Sequence, residues 1–283
     1  MKTILAAVDL REDTGQVLAR AAQLSMQHTA QVVVQHVIEG TCDAESAVHE
    51  AMEQKARGTL QTAVDAAGFT VPSTLQVEFG VPHACVTHAA RERCADVILI
   101  GLGQPSTMVE QVLGSTADRI VRTSPAPVLV VRNRSAHPYR RVVVAMDFSP
   151  QSEAALEAAR RLAPDAPTEL VHAFEIPLPF EQAMLRSGAS SEDVERFRQT
   201  RINEYYRQLL DMARRHALRD SVSVLRGLPG PALVELTRKH RVDLIVLGSQ
   251  GRNAVVQALL GSVAKRLLSE AGCDVLVVGH GRG

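Results

Sequence analysis

The chain carries no surplus of charge. Lys and Arg together count 31, as do Asp and Glu, so the formal net charge is zero. A general nucleic-acid binder would show a basic excess or a basic face, and that class is not expected here. The one local basic cluster, "RNRSAHPYRR" (132–141), is too short to track a DNA backbone and reads as solvated linker. No apolar run reaches the roughly 18–20 residues of a membrane-spanning helix. The opening "MKTILAAVDLRED" lacks a signal-peptide cleavage pattern and reads as a first buried strand. The four cysteines, Cys42, Cys85, Cys94 and Cys273, form no CxxC. Reduced thiols and a cytoplasmic location are expected. No Pro/Gly/Ser tract is long enough to suggest disorder.

What the 283 residues do contain is a repeat. "ILAAVDL" (4–10) matches "VVVAMDF" (142–148), placing Asp9 and Asp147 at an offset of 138. "QHVIE" (35–39) matches "VHAFE" (171–175) at 136. "FGVPHACV" (79–86), "ADVILIGLG" (95–103), "LGSTADRIV" (113–121) and "PVLVV" (127–131) all recur 147 residues later. The second copy therefore carries a net insertion of eleven residues, placed in "IPLPFEQAMLRSGAS" (176–190). The insert is expected to be a loop, a cover for the second copy's pocket or a partner surface. Two domains follow, 1–134 and 138–283, joined by a polar, Pro-containing linker.

Short continuous runs of Val, Ile and Leu predict strands at 3–8, 31–38, 74–79, 96–101 and 128–132 in the first copy. In the second they fall at 141–146, 168–174, 221–226, 243–248 and 274–278. Their lack of alternation suits a sheet covered by helices on both faces. Helical patterns lie between them. Ser149 is a candidate cap with Pro150 at N1 and a stripe of Ala155, Ala159 and Leu162, and Pro231 is a candidate start for a helix over 231–240. The alternation predicts two tandem, doubly wound parallel α/β domains. In such sheets ligands sit beyond the carboxyl ends of the strands.

In the second copy those ends carry Asp147, Ala173 and the stretch "GSQGRNAVVQALLGS" (248–262). It contains neither GxxxxGK[ST] nor, after the first strand, GxGxxG. Glycines permit close approach of an anion and positive φ. A helix beginning at Gly261-Ser262 offers unpaired N–H groups, Ser262 a hydroxyl and Arg252 a charge. Asp147 suits ribose hydroxyls or an adenine amine. The bland alternative is turn chemistry: glycines after strands and a Gly-Ser helix cap occur in many α/β proteins.

Gly248, Gly251, Gly261 and Ser262 spell G-x2-G-x9-G-[ST], and with Asp147 this resembles the ATP-binding class of universal stress proteins, twice over nearly the whole chain. The resemblance implies a five-stranded parallel sheet of order 3-2-1-4-5, of the adenine nucleotide alpha-hydrolase-like type. It implies ATP, with Mg²⁺, its adenine near Asp147 and Ala173. The phosphates would lie on Gly248, Gly251 and the helix start at Gly261, Ser262, Val263 and Ala264, with Arg252 nearby. It also implies an internal pseudo-dimer through "PVLVV" and "DVLVV", with a homodimer of whole chains left open, and a stress-response role without established turnover. The first copy keeps Asp9, Val37, Gly101, Gly114 and Ser115. It has Gln104 at the second glycine position and Pro105 where the second copy has Arg252. Proline has no N–H to offer, so the second copy is the expected nucleotide site.

Other constellations are weaker. His83, Cys85, His88 and Cys94 cannot converge on a metal from one helix. His36 and His172 end matching strands and read as packed, hydrogen-bonded residues. No spacing argues for a catalytic triad, and no charge pattern lowers the pKa of Cys42 or Cys94. Two rivals to nucleotide-responsive regulation stand: a slow ATPase or phosphotransferase on the same site, and a scaffold that works without nucleotide.

Overall fold

The computed structural model describes residues 1–40, 47–103, 114–133, 136–218, 221–250 and 260–279. The first half runs β1 (Thr3–Ala7), α1 (Thr14–His28), β2 (Gln31–Glu39), α2 (Ala47–Ala67), β3 (Ser73–Gly80), α3 (Pro82–Glu92), β4 (Val97–Ile100), α4 (Ser115–Thr123) and β5 (Val128–Val130). The second runs β6 (Val142–Ala145), α5 (Pro150–Leu162), β7 (Thr168–Phe174), α6 (Leu178–Arg186), α7 (Ser191–Arg215), β8 (Val222–Arg226), α8 (Pro229–Lys239), β9 (Leu244–Gly248), α9 (Ser262–Glu270) and β10 (Asp274–Val278). Every expected strand is present, with ends displaced by a residue or two. The helix expected from Pro231 starts earlier, at Pro229, because Leu228 is the extended residue that precedes it.

All ten strands form one sheet in the order β3-β2-β1-β4-β5-β10-β9-β6-β7-β8. Each half is parallel and repeats the order 3-2-1-4-5. The halves meet where β5 and β10 pair antiparallel, with Leu129 opposite Leu276. Successive side chains of a strand point to opposite faces, and here both faces are buried. Ile4 and Ala6 enter one core with α1, α2, α5 and α7. Leu5 enters the other with α3, α4, α8 and α9. That is why these strands read as continuous apolar runs.

α5 starts as expected: the Ser149 side chain accepts the Ser152 N–H, Pro150 follows the cap, and Ala155, Ala159 and Leu162 are buried. The insert is not a loop. It forms α6, which packs on α7 through the rings of Phe180 and Phe197, 5.6 Å apart, and through Arg198 and Glu181 at 3.4 Å. Glu181 in the first turn of α6 and Arg186 in its last complement the helix dipole.

The linker is also not a solvated cluster. Arg132 donates to the carbonyls of Leu268 and Ser269, and Arg141 donates to Glu169. Tyr139 is buried and donates to Asp274. An arginine near the end of a helix finds unpaired carbonyls, and this draws Arg132 onto the end of α9. Among the described residues no helix is long and apolar enough to cross a membrane.

Candidate functional site

Two clefts open at the carboxyl edge of the sheet, one per half, of about 480 and 470 Å³. The second is walled by the ends of β6 and β7 and by Pro229 and Leu233 of α8. Its floor is the segment Leu247–Gln250, and the first turn of α9 closes it. Asp147, Ala173, Gly248, Gly261, Ser262, Val263 and Ala264 all line it. Gly251 and Arg252 lie outside the described residues. The first cleft gathers Asp9, Val37, Gly101, Gly114 and Ser115 in the matching places. Gln104 and Pro105 lie outside the described residues.

The strand-to-helix turn is built alike in both halves. Asp147 Oδ1 accepts the N–H and the hydroxyl of Ser149 at 3.0 and 2.5 Å. Asp9 Oδ1 accepts the N–H of Arg11 at 3.0 Å. The residue after each aspartate, Phe148 or Leu10, has left-handed backbone at φ 64° or 59°. That conformation is costly for a bulky side chain and tends to persist at functional turns. The aspartate's bonds across the turn hold it.

Gly103 meets the expectation of positive φ, at 67°, but Gly101 and Gly248 act differently. Neither Gly101 nor Gly248 has positive φ. Each makes room for the helix that follows the first strand. A Cβ at Gly248 would lie 2.8 Å from Gln151 Cβ, and one at Gly101 would lie 1.8 Å from Asp13 Oδ2. Gly261 and Gly114 do not offer their own N–H to a ligand, since these bond the carbonyls of Ser249 and Leu102 at 2.8 and 3.1 Å. The first intrahelical bond of α9 runs from the Lys265 N–H to the Gly261 carbonyl. The N–H groups of Ser262, Val263 and Ala264 therefore have no acceptor within the helix. Among the described residues no side chain caps this end, and none caps α4. Both turns face their clefts.

His36 and His172 also line the clefts, and Nδ1 of each contacts the carbonyl just past a strand end, Val8 at 2.9 Å and Met146 at 2.7 Å. A carbonyl only accepts, so Nδ1 carries the proton in both rings. Among the described residues no three His, Cys, Asp or Glu side chains are grouped to hold a metal ion.

Sequence reasoning missed Asp13. It lies in the first cleft, and its Oδ2 accepts the Gly103 N–H at 3.3 Å. Burial, followed by the nearby Asp9 charge, raises its pKa. Gln151 stands at the same 138-residue offset in the second half. An acid in one copy against an amide in the other was the available signal.

The fold and the paired clefts define a duplicated doubly wound α/β protein with two ligand-sized openings at its carboxyl edge. The chain belongs to the universal stress protein family, whose model matches residues 1–132 and again 138–279. A universal stress protein of Mycolicibacterium smegmatis is 27% identical over 97% of this chain and 96% of its own. One from Methanocaldococcus jannaschii is 29% identical over 53% of this chain and 86% of its own. The solved structure of a universal stress protein from Archaeoglobus fulgidus superposes with a TM-score of 0.69 at 20% identity, covering 98% of this chain and 96% of that one.

Proposed function

We propose that the protein binds ATP in its second cleft and works as a nucleotide-responsive regulator or scaffold in the cytoplasm. The observation that carries this reading is the first turn of α9. Its N–H groups without a helical acceptor and the positive end of the helix dipole face a cleft of nucleotide size. The phosphates would rest on Ser262, Val263, Ala264 and the backbone at Gly248, with Gly251 and Arg252 completing the loop. The adenosine end would lie against Ala173 and Val171, with Asp147 as acceptor for ribose or adenine. Mg²⁺ would be held chiefly by the phosphates, which fits a cleft whose described lining carries a single carboxylate, Asp147. The β5–β10 pairing supports the further reading of the chain as an internal pseudo-dimer. Domain limits at 1–134 and 138–283 belong to the same proposal.

The test is ATP titration by calorimetry of the native chain and of Gly261→Glu. A carboxylate at the mouth of α9 should abolish the binding while the circular dichroism spectrum is retained. Unchanged affinity in the variant would remove the site.

A further inference from the structure

The two clefts are alike in volume, position and backbone, yet they differ in charge where a phosphate would sit. In the first, the Asp13 carboxylate already accepts the Gly103 N–H, a glycine-loop donor on this side. It lies against the end of β4, where the absent Cβ of Gly101 would otherwise collide with it. Asp9 and Glu39 line the same cleft, with Arg11 the one Lys or Arg among its described lining residues. In the second cleft the corresponding side chain is the uncharged Gln151, which packs against Gly248.

We propose that Asp13 sets the ligand specificity of the first cleft: its carboxylate takes the Gly103 N–H and puts a negative charge beside the phosphate position, so this cleft turns away nucleoside polyphosphates and favours the uncharged nucleoside. A second anion placed against Asp13 and Asp9 meets like charge, and one of its hydrogen-bond donors is already taken, although the first turn of α4 is as open as that of α9. The inference rests on the nucleotide reading of the second cleft, and it gives two clefts of similar volume different ligands. The swap is small. A carboxylate replaced by an amide of similar shape leaves the cavity open and removes the charge.

The experiment is equilibrium dialysis of the full chain with labelled ATP, and separately with adenosine, for the native protein, Asp13→Gln and the isosteric Asp13→Asn. Asp13 provides no side-chain cap to α1, so neither change removes a cap, and Asp13→Asn keeps the shape should the longer side chain disturb the fold. The expected result is one ATP per native chain and two per variant chain. The second site should be at least about tenfold tighter than any weak binding to the native first cleft, with adenosine binding unaltered. The inference is overturned if the native chain already fills two sites, or if both variants stay at one. ATP bound by the variants but not by the native chain would uphold Asp13 and remove the second-cleft reading. No ATP on any of the three would remove both.

Discussion

Arg20 of the first helix and Asp274 of the last strand meet inside the junction of the two halves, Nε 3.2 Å from Oδ2, with both side chains essentially inaccessible to solvent. Arg20 also donates to Gln23 and to the His137 carbonyl, and its guanidinium lies 4.2 Å from the centre of the Tyr139 ring. Asp274 Oδ1 accepts the N–H groups of Arg132 and Asn133 at 2.8 Å each, and Oδ2 accepts the Tyr139 hydroxyl at 2.8 Å. Burial, reinforced by the Asp274 charge, holds the Tyr139 hydroxyl well above its ordinary pKa. One carboxylate thus ties α1, the linker and β10 together.

Removing that carboxylate leaves a buried guanidinium, a hydroxyl and two backbone N–H groups to be satisfied elsewhere. Asp274→Ala should cost about 3–5 kcal/mol of stability in urea unfolding. Arg20→Met should cost less, because Asp274 keeps its three donors. Equal losses would show that the charge pair alone sets the effect.

Asp13 makes stability depend on pH. Its folded pKa is raised, chiefly by burial and then by Asp9. The protonated carboxyl therefore favours the folded state. That contribution is complete below the ordinary aspartate value of about 3.9 and is lost as the pH rises through the raised value. Asp13→Asn should accordingly be more stable than the native chain at neutral pH, with the difference vanishing toward pH 3. Thermal melts at several pH values read this directly. A difference that grows in acid would contradict it.

Gly248 gives way to no side chain without movement of α5. Gly248→Ala places a methyl 2.8 Å from Gln151 Cβ and 3.3 Å from the Gln250 carbonyl. A loss of about 1–3 kcal/mol is expected, measured by chemical denaturation. An unaltered midpoint would mean that the helix start is free to shift.

The three described cysteines should separate by reactivity; Cys42 lies outside the described residues. Cys94 is exposed, Cys85 is partly covered and Cys273 is buried. Burial pushes both the Cys273 and Cys85 thiols up, with Asp274 and Glu78 respectively adding to the effect. Mass spectrometry after brief alkylation of the folded protein should find Cys94 modified, Cys85 slower and Cys273 untouched until denaturant is added. Early modification of Cys273 would place it outside the core.

The repeat, the ten strands and the parallel doubly wound class were legible in the amino-acid order alone. Both faces of the sheet are covered, so each strand must be apolar throughout, and that signal is local. The residues at the carboxyl edge were legible too, because a strand end and the following helix start are marked by Asp, Gly and Ser within a few positions. The linker was misread because the partners of Arg132 and Tyr139 lie on α9 and β10, far along the chain. Of the three readings of the insert, the loop fails because its short amphipathic stretch finds its described contacts on α7, well along the chain. The use of Gly101 and Gly248 as clearance for a helix, and the seat of Asp13 on the Gly103 N–H, were beyond local pattern. Both depend on how closely one crossing helix approaches the end of a strand ninety residues away. Such distances are set by packing of the whole sheet, since a backbone donor is committed or open only once its spatial neighbours are in place.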